Sequence, residues 1–547
     1  MPSSRYPSRA QAVGTMPRSF EVMDRVMDAG SLYASGRRLR SARFGSEGSW
    51  IGVVNISPAE SRFQPTLVGQ NIVEEHLARR YAELGGVIFR AARVKSIVED
   101  ELGVTVGVER FVYVRPPAVA PPLPEALTRV ASTALKAKYA VGCDGKNSKV
   151  RECLGLGYEG HEYPQMFFLA DVELEEGEIE AEGWDVAGGN GVLQADGSFF
   201  LFMHIQSNIF RTYYCATDMK TEDCTEEFLR ALWEKHVPGG FPTKIKRFDR
   251  PQVFSVSCRI VTSYSSVVGR VFLAGDAAHC HSPAGGQGMN TGLQDAANLG
   301  WKLARAIRSG DASVAGSLLT YEKERRPIAE WVLANSDTNF SRMTKALPPI
   351  LAFLRNCVVR ILLYFTPDGS LPPPSHKGKM FGTGISYSGV GTCVDHGTSP
   401  PKDTLVAGDR LPDHNYRVHD STQSADLHSL LGPLSTEYTL VVVGDPAVGV
   451  QATTAMSGIP NLAKRVYIIC PEKGTPPIPP NKGDGIEVVQ LTPEQSQYSK
   501  SLMDQLGLKL KGTAILLVRP DTHLAMVHRG PFEATALASN IKAAALM

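Results

Sequence analysis

The stretch from Arg270 to Ala304 constrains this chain more than any other. It begins as a short apolar run, Val271 to Ala274, of the buried-strand type. The run stops at Gly275-Asp276, and a glycine-rich loop follows at Gly285, Gly286 and Gly288. A helix is then expected from about Met289, with Leu293, Ala296/Ala297, Gly300, Leu303/Ala304 and Ile307 as its apolar face. Strand, carboxylate, glycine loop and helix N-terminus together suit a polar, electron-rich ligand. The N–H groups of Met289 and Asn290 would point outward with the positive end of the helix dipole behind them. Asp276 is placed to accept hydrogen bonds from a chain of hydroxyls, and glycines let the backbone come close to the ligand.

Length and composition narrow the class. A chain of 547 residues holds two to four domains. Hydrophobic content of 43% and charged content of 21% belong to a globular protein. A formal net charge of +1 with no basic stripe gives no support to nucleic-acid binding. Nine scattered cysteines, with no Cys-x-x-Cys, build neither a disulfide framework nor a zinc site and fit a reducing compartment. No signal peptide or peroxisomal signal is read, so the expected location is the cytoplasm. Leu347 to Phe365 is apolar but broken by Arg355 and Arg360, and is read as a buried amphipathic helix, not a membrane span. No membrane partner is expected. His279-Cys280-His281 invites a metal reading, but no further ligand completes a site, so no metal is expected.

Gly275-Asp276, Pro283 and Gly285 through Thr291 resemble, in order, the second flavin-binding motif of the class A flavoprotein aromatic hydroxylases, the para-hydroxybenzoate hydroxylase and phenol hydroxylase group. The resemblance implies an α/β fold: a Rossmann-like FAD-binding domain interleaved with a β-rich substrate domain, followed by a thioredoxin-like α/β domain. It implies that Asp276 holds the ribityl chain of FAD and that the Met289 helix end stabilises charge on the reduced ring. It also implies NAD(P)H as cosubstrate, dioxygen, and hydroxylation of a phenol-like or larger polycyclic aromatic substrate.

Further segments extend the resemblance. Arg9-Ala10, with Pro17-Arg18 after it, resembles the family's segment behind its second strand, where the pair contacts the nucleotide. Gln70 resembles the Gln that reaches the flavin; a plain helix-start residue is the alternative. The helix around it is expected over 67–84, with Val73, Leu77, Tyr81 and Leu84 on one face. Asp144-Gly145 resembles the Asp-Gly motif near the pyrophosphate, although alone it reads as a turn. Arg211-Thr-Tyr213 resembles a stretch that brings Tyr213 to the ligand region, against a surface-strand alternative. Arg259 is the one candidate for a catalytic role near substrate, with a structural salt bridge as the equal alternative.

Departures are as informative. The family opens with a strand, a Gly-x-Gly-x-x-Gly turn, a helix and a second strand, about 30 residues in all, and only eight residues precede Arg9. That unit is expected to be missing, leaving the FAD domain N-terminally incomplete and its sheet edges open. Gly155-Leu-Gly-Tyr-Glu-Gly160 is a decoy, because it does not lie between a buried strand and a helix. The family's phenol-hydroxylase branch carries an Asp after the Arg-Ala pair, where Gln11-Ala-Val-Gly14 has no acid. No Trp-x-Trp-x-Ile supports a flavin halogenase. The expected division is 1–157 and 263–366 for the FAD domain, 158–262 for the substrate domain, 367–403 as linker and 404–547 as the thioredoxin-like domain. That last domain holds only Cys470, so a structural or dimerising role is expected, and a homodimer is the candidate assembly. The alternative function is a truncated, non-catalytic relative acting as a scaffold or not binding FAD.

Overall fold

A computed structural model of the chain describes residues 12–56, 60–114, 126–175, 188–206, 208–217, 219–220, 222, 224–240, 245–283, 285–309, 316–365, 374–391, 393–419, 424–432, 436–456, 459, 462–470, 486–494, 500–508 and 512–546. Arg9 and Ala10 lie outside the described residues. Among those described, the chain builds two eight-stranded sheets, two three-stranded sheets and one two-stranded parallel pair.

The first eight-stranded sheet, which holds most of the segment 158–262, follows from alternation. In Tyr158–Leu174, Phe168, Ala170 and Val172 face a cluster capped by Trp233 of the helix Glu226–His236. Phe167 and Leu169 point the other way, toward Phe340 of the helix Thr320–Met343. Both faces are therefore covered. The sheet reaches further back in sequence than expected. Ser41–Ser46 pairs in parallel with Gly188–Leu193, and Ser49–Asn55 forms the edge. The boundary at 157 thus divides sequence but not structure, because strands from the first segment complete the second segment's sheet.

The strand Val271–Leu273 is fully buried and pairs in parallel with Ala140–Gly142. Among the described residues this parallel sheet is two strands wide, and Val141 is partly exposed. Beside it stands a meander of Ala92–Glu99, Val104–Val114 and Ala126–Ala137.

The C-terminal sheet places Tyr438–Val443 between parallel Leu462–Ile469 and antiparallel Ala514–Val518. Its two faces carry separate apolar clusters, one of which includes Trp301 from the helix Gly288–Ser309. Part of the expected linker 367–403 belongs to this domain. Val394–Gly397 is an edge strand on Leu524–Arg529, and Ile385, Tyr387 and Cys393 lie in the core. Cys393 thus joins Cys470 in this domain, and both are buried and unbonded to another cysteine.

Three expected helices bury different faces from those periodicity gave. The helix Gln70–Glu83 buries only Val73; Tyr81 and Leu84 are exposed because its second half outruns the helices it packs on. The helix Gly288–Ser309 leaves Ala296, Gly300 and Ile307 exposed and buries Gln294, Asp295, Asn298, Lys302 and Arg305. Its polar stripe is inside because the helix Thr320–Met343 supplies ion-pair partners there and the C-terminal domain a carbonyl acceptor for Arg305. Pro349–Tyr364, read as buried, is largely exposed, with Ala352 its buried residue among those described. Among the described residues no helix is long and apolar enough to cross a membrane.

Candidate functional site

The strand ending at Leu273 delivers a tight turn, Gly275–Ala277. Gly275 has φ +59°, a left-handed conformation that glycine adopts without steric cost. Its N–H donates to Asp295 Oδ2 at 3.1 Å. That same oxygen lies 2.7 Å from His279 Nε2, and Arg325 Nε donates to Oδ1 at 2.7 Å. Burial alone would raise the Asp295 carboxyl, but the charges and hydrogen bonds of His279 and Arg325 hold it at about 2. Asp295 is thus an ionised anchor that ties the turn, the strand His279–Cys280 and the helix Thr320–Met343 together. Arg325 also donates to Tyr387 of the C-terminal domain at 3.1 Å.

Asp276 faces the opposite way. Its side chain is exposed, and the surrounding protein still raises its carboxyl. Burial is the larger cause and Asp295 adds to it, against the lowering effect of His279. The turn is braced from below. Arg151 donates to Ala277 O at 2.9 Å and stacks over Tyr158, 3.7 Å from its ring centroid. The Tyr158 hydroxyl donates to Asp276 O at 2.9 Å.

Gly285 and Gly286 are exposed, with φ +108° and +63°. They lead into Gly288–Ser309, whose first-turn N–H groups have no carbonyl one turn back. His281 stands beside this helix start, its Cε1 3.8 Å from where a side chain at Gly288 would begin. Burial pushes its imidazole down to about 4, so it is neutral at pH 7. Asn290 is fully buried, and its amide is spent on the protein. Oδ1 accepts from Met16 N at 2.8 Å and Ser19 Oγ at 2.7 Å, while Nδ2 donates to Gly14 O and Gly286 O. It clamps the glycine loop to the first described strand and helix, while Met289 packs partly into the apolar cluster around Phe20 and Phe63.

The other expected residues divide. Asp144 uses its carboxylate as a helix cap, accepting from Lys149 N at 2.7 Å, Val150 N at 3.1 Å and the Ser148 hydroxyl. Gly145 turns the chain beside it with φ +83°. Gln70 accepts from Ala12 N at 3.2 Å and donates to Glu74 at 2.7 Å. Arg259 pairs across the sheet with Cys280 and donates to Tyr158 O at 3.4 Å, which puts it near the Asp276 turn. Tyr213 lies apart from that turn. It is buried on the sheet face with Phe167, Phe199 and Phe340, and burial pushes its hydroxyl up to about 12 against the Arg211 charge. Arg211 makes a bidentate pair with Asp171 and reaches Ala12 O at 3.4 Å. The Gly155–Gly160 run serves packing: a side chain at Gly160 would meet Cys258 O at 2.0 Å. His279 is spent on Asp295, and among the described residues no three His, Cys, Asp or Glu side chains gather as metal ligands.

Sequence reasoning missed Asp295 and Arg325. Asp295 falls opposite the expected apolar stripe of its helix, and that stripe gives it no role. An acid one helical turn after Thr291, matched by the paired arginines of Glu324-Arg325-Arg326-Pro327, was the available signal.

The family model described as FAD binding domain matches residues 3–336. A 12-dehydrotetracycline 5-monooxygenase/anhydrotetracycline 6-monooxygenase of Streptomyces rimosus subsp. rimosus is 34% identical over 340 residues, 60% of this chain and 61% of that protein. The match therefore spans less than two thirds of that relative's length. Among solved structures, the OxyS anhydrotetracycline hydroxylase from Streptomyces rimosus superposes with a TM-score of 0.66 at 25% identity, covering 96% of this chain and 89% of its own. The flavin-dependent monooxygenase PieE, in complex with FAD and substrate, shares the fold with a TM-score of 0.71 at 19% identity, over 99% of this chain and 93% of its own. With the turn, the glycine loop and the helix start arranged as described, the chain belongs to the FAD-binding domain family.

Proposed function

We propose that the chain is an FAD-dependent monooxygenase that hydroxylates an aromatic substrate, with NAD(P)H and dioxygen as cosubstrates. The observation that carries this reading is the exposed Asp276 carboxylate beside an open glycine loop and helix start, with the turn locked from behind by Asp295. FAD, when bound, supplies the transfer of reducing equivalents to dioxygen that no side chain here provides. The residues present fit its flavin end. Asp276 would accept hydrogen bonds from the ribityl hydroxyls, the backbone at Gly285 and Gly286 would lie against the ring system, and the Gly288–Ser309 N-terminus would favour negative charge there. His281, neutral at pH 7, adds no competing positive charge beside that helix start. The relative named for anhydrotetracycline supports an aromatic substrate, and larger polycyclic aromatics are preferred over small phenols on that ground.

A second reading, a scaffold that does not hold FAD, is favoured by one observation. The parallel sheet is two strands wide among the described residues, and Gly155–Gly160 is packed into a sheet, so no second nucleotide cradle faces Asp276 there. The absorption spectrum of the purified chain with added FAD tests both. A protein-bound flavin band, lost in Asp276→Ala while the thermal melt is kept, supports the first; NAD(P)H oxidation stimulated by polycyclic phenols completes it. Free flavin alone, with a folded chain, supports the scaffold.

A further inference from the structure

The helix Pro349–Tyr364 is the anomaly of the surface. Ile350, Leu351, Phe353, Leu354, Val358, Ile361, Leu362 and the adjacent Phe365 are 47–76% exposed. At roughly 100° per residue these side chains occupy about half of the helix circumference. The opposite side rests on the edge strand Ser49–Asn55, with Ala352 buried. Arg355 and Arg360 fall on the two borders between these sides. Arg355 reaches back to Ser46 Oγ at 3.0 Å and Arg360 to Trp50 O at 3.4 Å, which fixes the apolar face outward.

Charge identifies what this face suits. No acid occurs between Asp337 and Asp368, an interval that contains Arg342, Lys345, Arg355 and Arg360. A second copy docked by the same face would bring the flanking cations of one copy toward those of the other, with no acid from this segment to meet them and Glu47 already acting on Arg355 of its own copy. An anionic lipid surface meets both features, apolar chains below the helix and phosphate and carboxylate groups at its flanks. We infer that this helix seats the protein on an anionic membrane surface, lying in the interface plane with Leu354 and Ile361 at the centre of the inserted face. The helix is too short and too polar at its flanks to span. The inference does not depend on flavin binding.

Co-sedimentation of the full chain with vesicles of phosphatidylcholine, with and without phosphatidylserine, tests it. The expected result is pelleting with the phosphatidylserine vesicles, weakened by salt, and reduced by about tenfold or more in Leu354→Glu and Ile361→Glu. Both side chains are exposed, so far-UV circular dichroism and the melting temperature should stay as in the parent, and Arg360→Gln should weaken binding less. Three results would overturn the inference. They are no pelleting of the parent chain, pelleting unchanged by both Glu substitutions, or a dimer in sedimentation equilibrium that the same substitutions dissolve while vesicles capture nothing.

Discussion

Asp295 is held by the Arg325 guanidinium and the His279 ring and has no access to water, and that sets the consequence of changing it. Asp295→Asn keeps the shape but leaves Arg325 buried without its carboxylate. Removing one member of a buried pair costs about 3–5 kcal/mol, so urea unfolding of the variant should show a loss on that scale. Asn keeps one acceptor oxygen for the two donors, so either the Gly275 N–H or Arg325 would face the amide NH2, and where it is Gly275 the Asp276 turn should loosen and flavin affinity fall with stability. His523 makes a second residue-scale case. It packs 4.3 Å from the Tyr387 ring, and burial pushes its imidazole down to about 4 despite Asp521 at 3.4 Å. The unfolded chain takes up this proton from about 6.5 and the folded chain only near 4, so the group favours folding above 6.5 and that contribution is lost as pH falls toward 4. Unfolding free energy measured across this window should fall less steeply in His523→Gln, by about one linked proton. An unchanged slope would show that His523 titrates alike in both states.

At the scale of elements, the helix Pro17–Asp24 shows how the C-terminal domain reaches the glycine loop. Arg18 donates to Thr522 Oγ1 at 2.9 Å and to Asp521 O, while Ser19 donates to Asn290, which in turn holds Gly286. Thr522 sits in the turn between Ala514–Val518 and Leu524–Arg529 with φ +66°, a position that favours glycine or asparagine. A β-branched residue there stores roughly 1–2 kcal/mol. Thr522→Asn relieves the strain and keeps an oxygen for Arg18, so it should raise stability by about 1 kcal/mol. Thr522→Gly relieves the strain but loses the acceptor, and should gain less. A melting-temperature comparison of the two decides whether the hydroxyl or the backbone matters more. This coupling was invisible in the sequence, because Arg18 and Thr522 are 504 residues apart and neither residue type signals the other. The strand–turn–loop–helix of 271–309 was legible because its chemistry is local: apolar run, Gly-Asp, glycines, helix. Which face of that helix is buried was not legible. Burying Asp295, Lys302 and Arg305 requires partners from Glu324, Arg325 and the C-terminal Ala545 carbonyl, which no periodicity in the helix itself encodes. The candidates taken from single motifs fared in the same way. The Asp144 carboxylate is consumed by local backbone and the Gln70 amide by Ala12 N and the Glu74 carboxylate, whereas Asp276 is left facing outward.

The whole molecule is joined by a buried ionic cluster where separate domains would meet through water. Arg519 binds Glu324 through both of its terminal nitrogens, at 2.9 and 2.8 Å, and Asp521 at 2.6 Å. Lys302 and Asn298 complete the shell around Glu324, and Trp301 donates to Asp521 at 3.2 Å while packing edge-on to Tyr438. Burial would raise the Glu324 carboxyl, yet Arg519 and Lys302 hold it at about 2, and burial with Arg519 brings Lys302 down to about 8. Domains joined by small polar interfaces unfold independently. Here separation would strand charges that have no water on either side, so the two parts should melt together. Calorimetry of the parent chain should give one transition. Arg519→Met removes the bridging cation and leaves Asp521 buried without its guanidinium, at a cost of about 3–5 kcal/mol. The variant should melt in two steps, the C-terminal sheet separating from the FAD domain. Adding Asp521→Asn to Arg519→Met takes away the stranded carboxylate and should recover part of the loss, because the two residues act as one unit while Glu324 keeps Lys302. Two transitions in the parent chain would show that the domains unfold apart despite this cluster, and the route from Thr522 through Arg18 to the glycine loop would then have to be local in its effect.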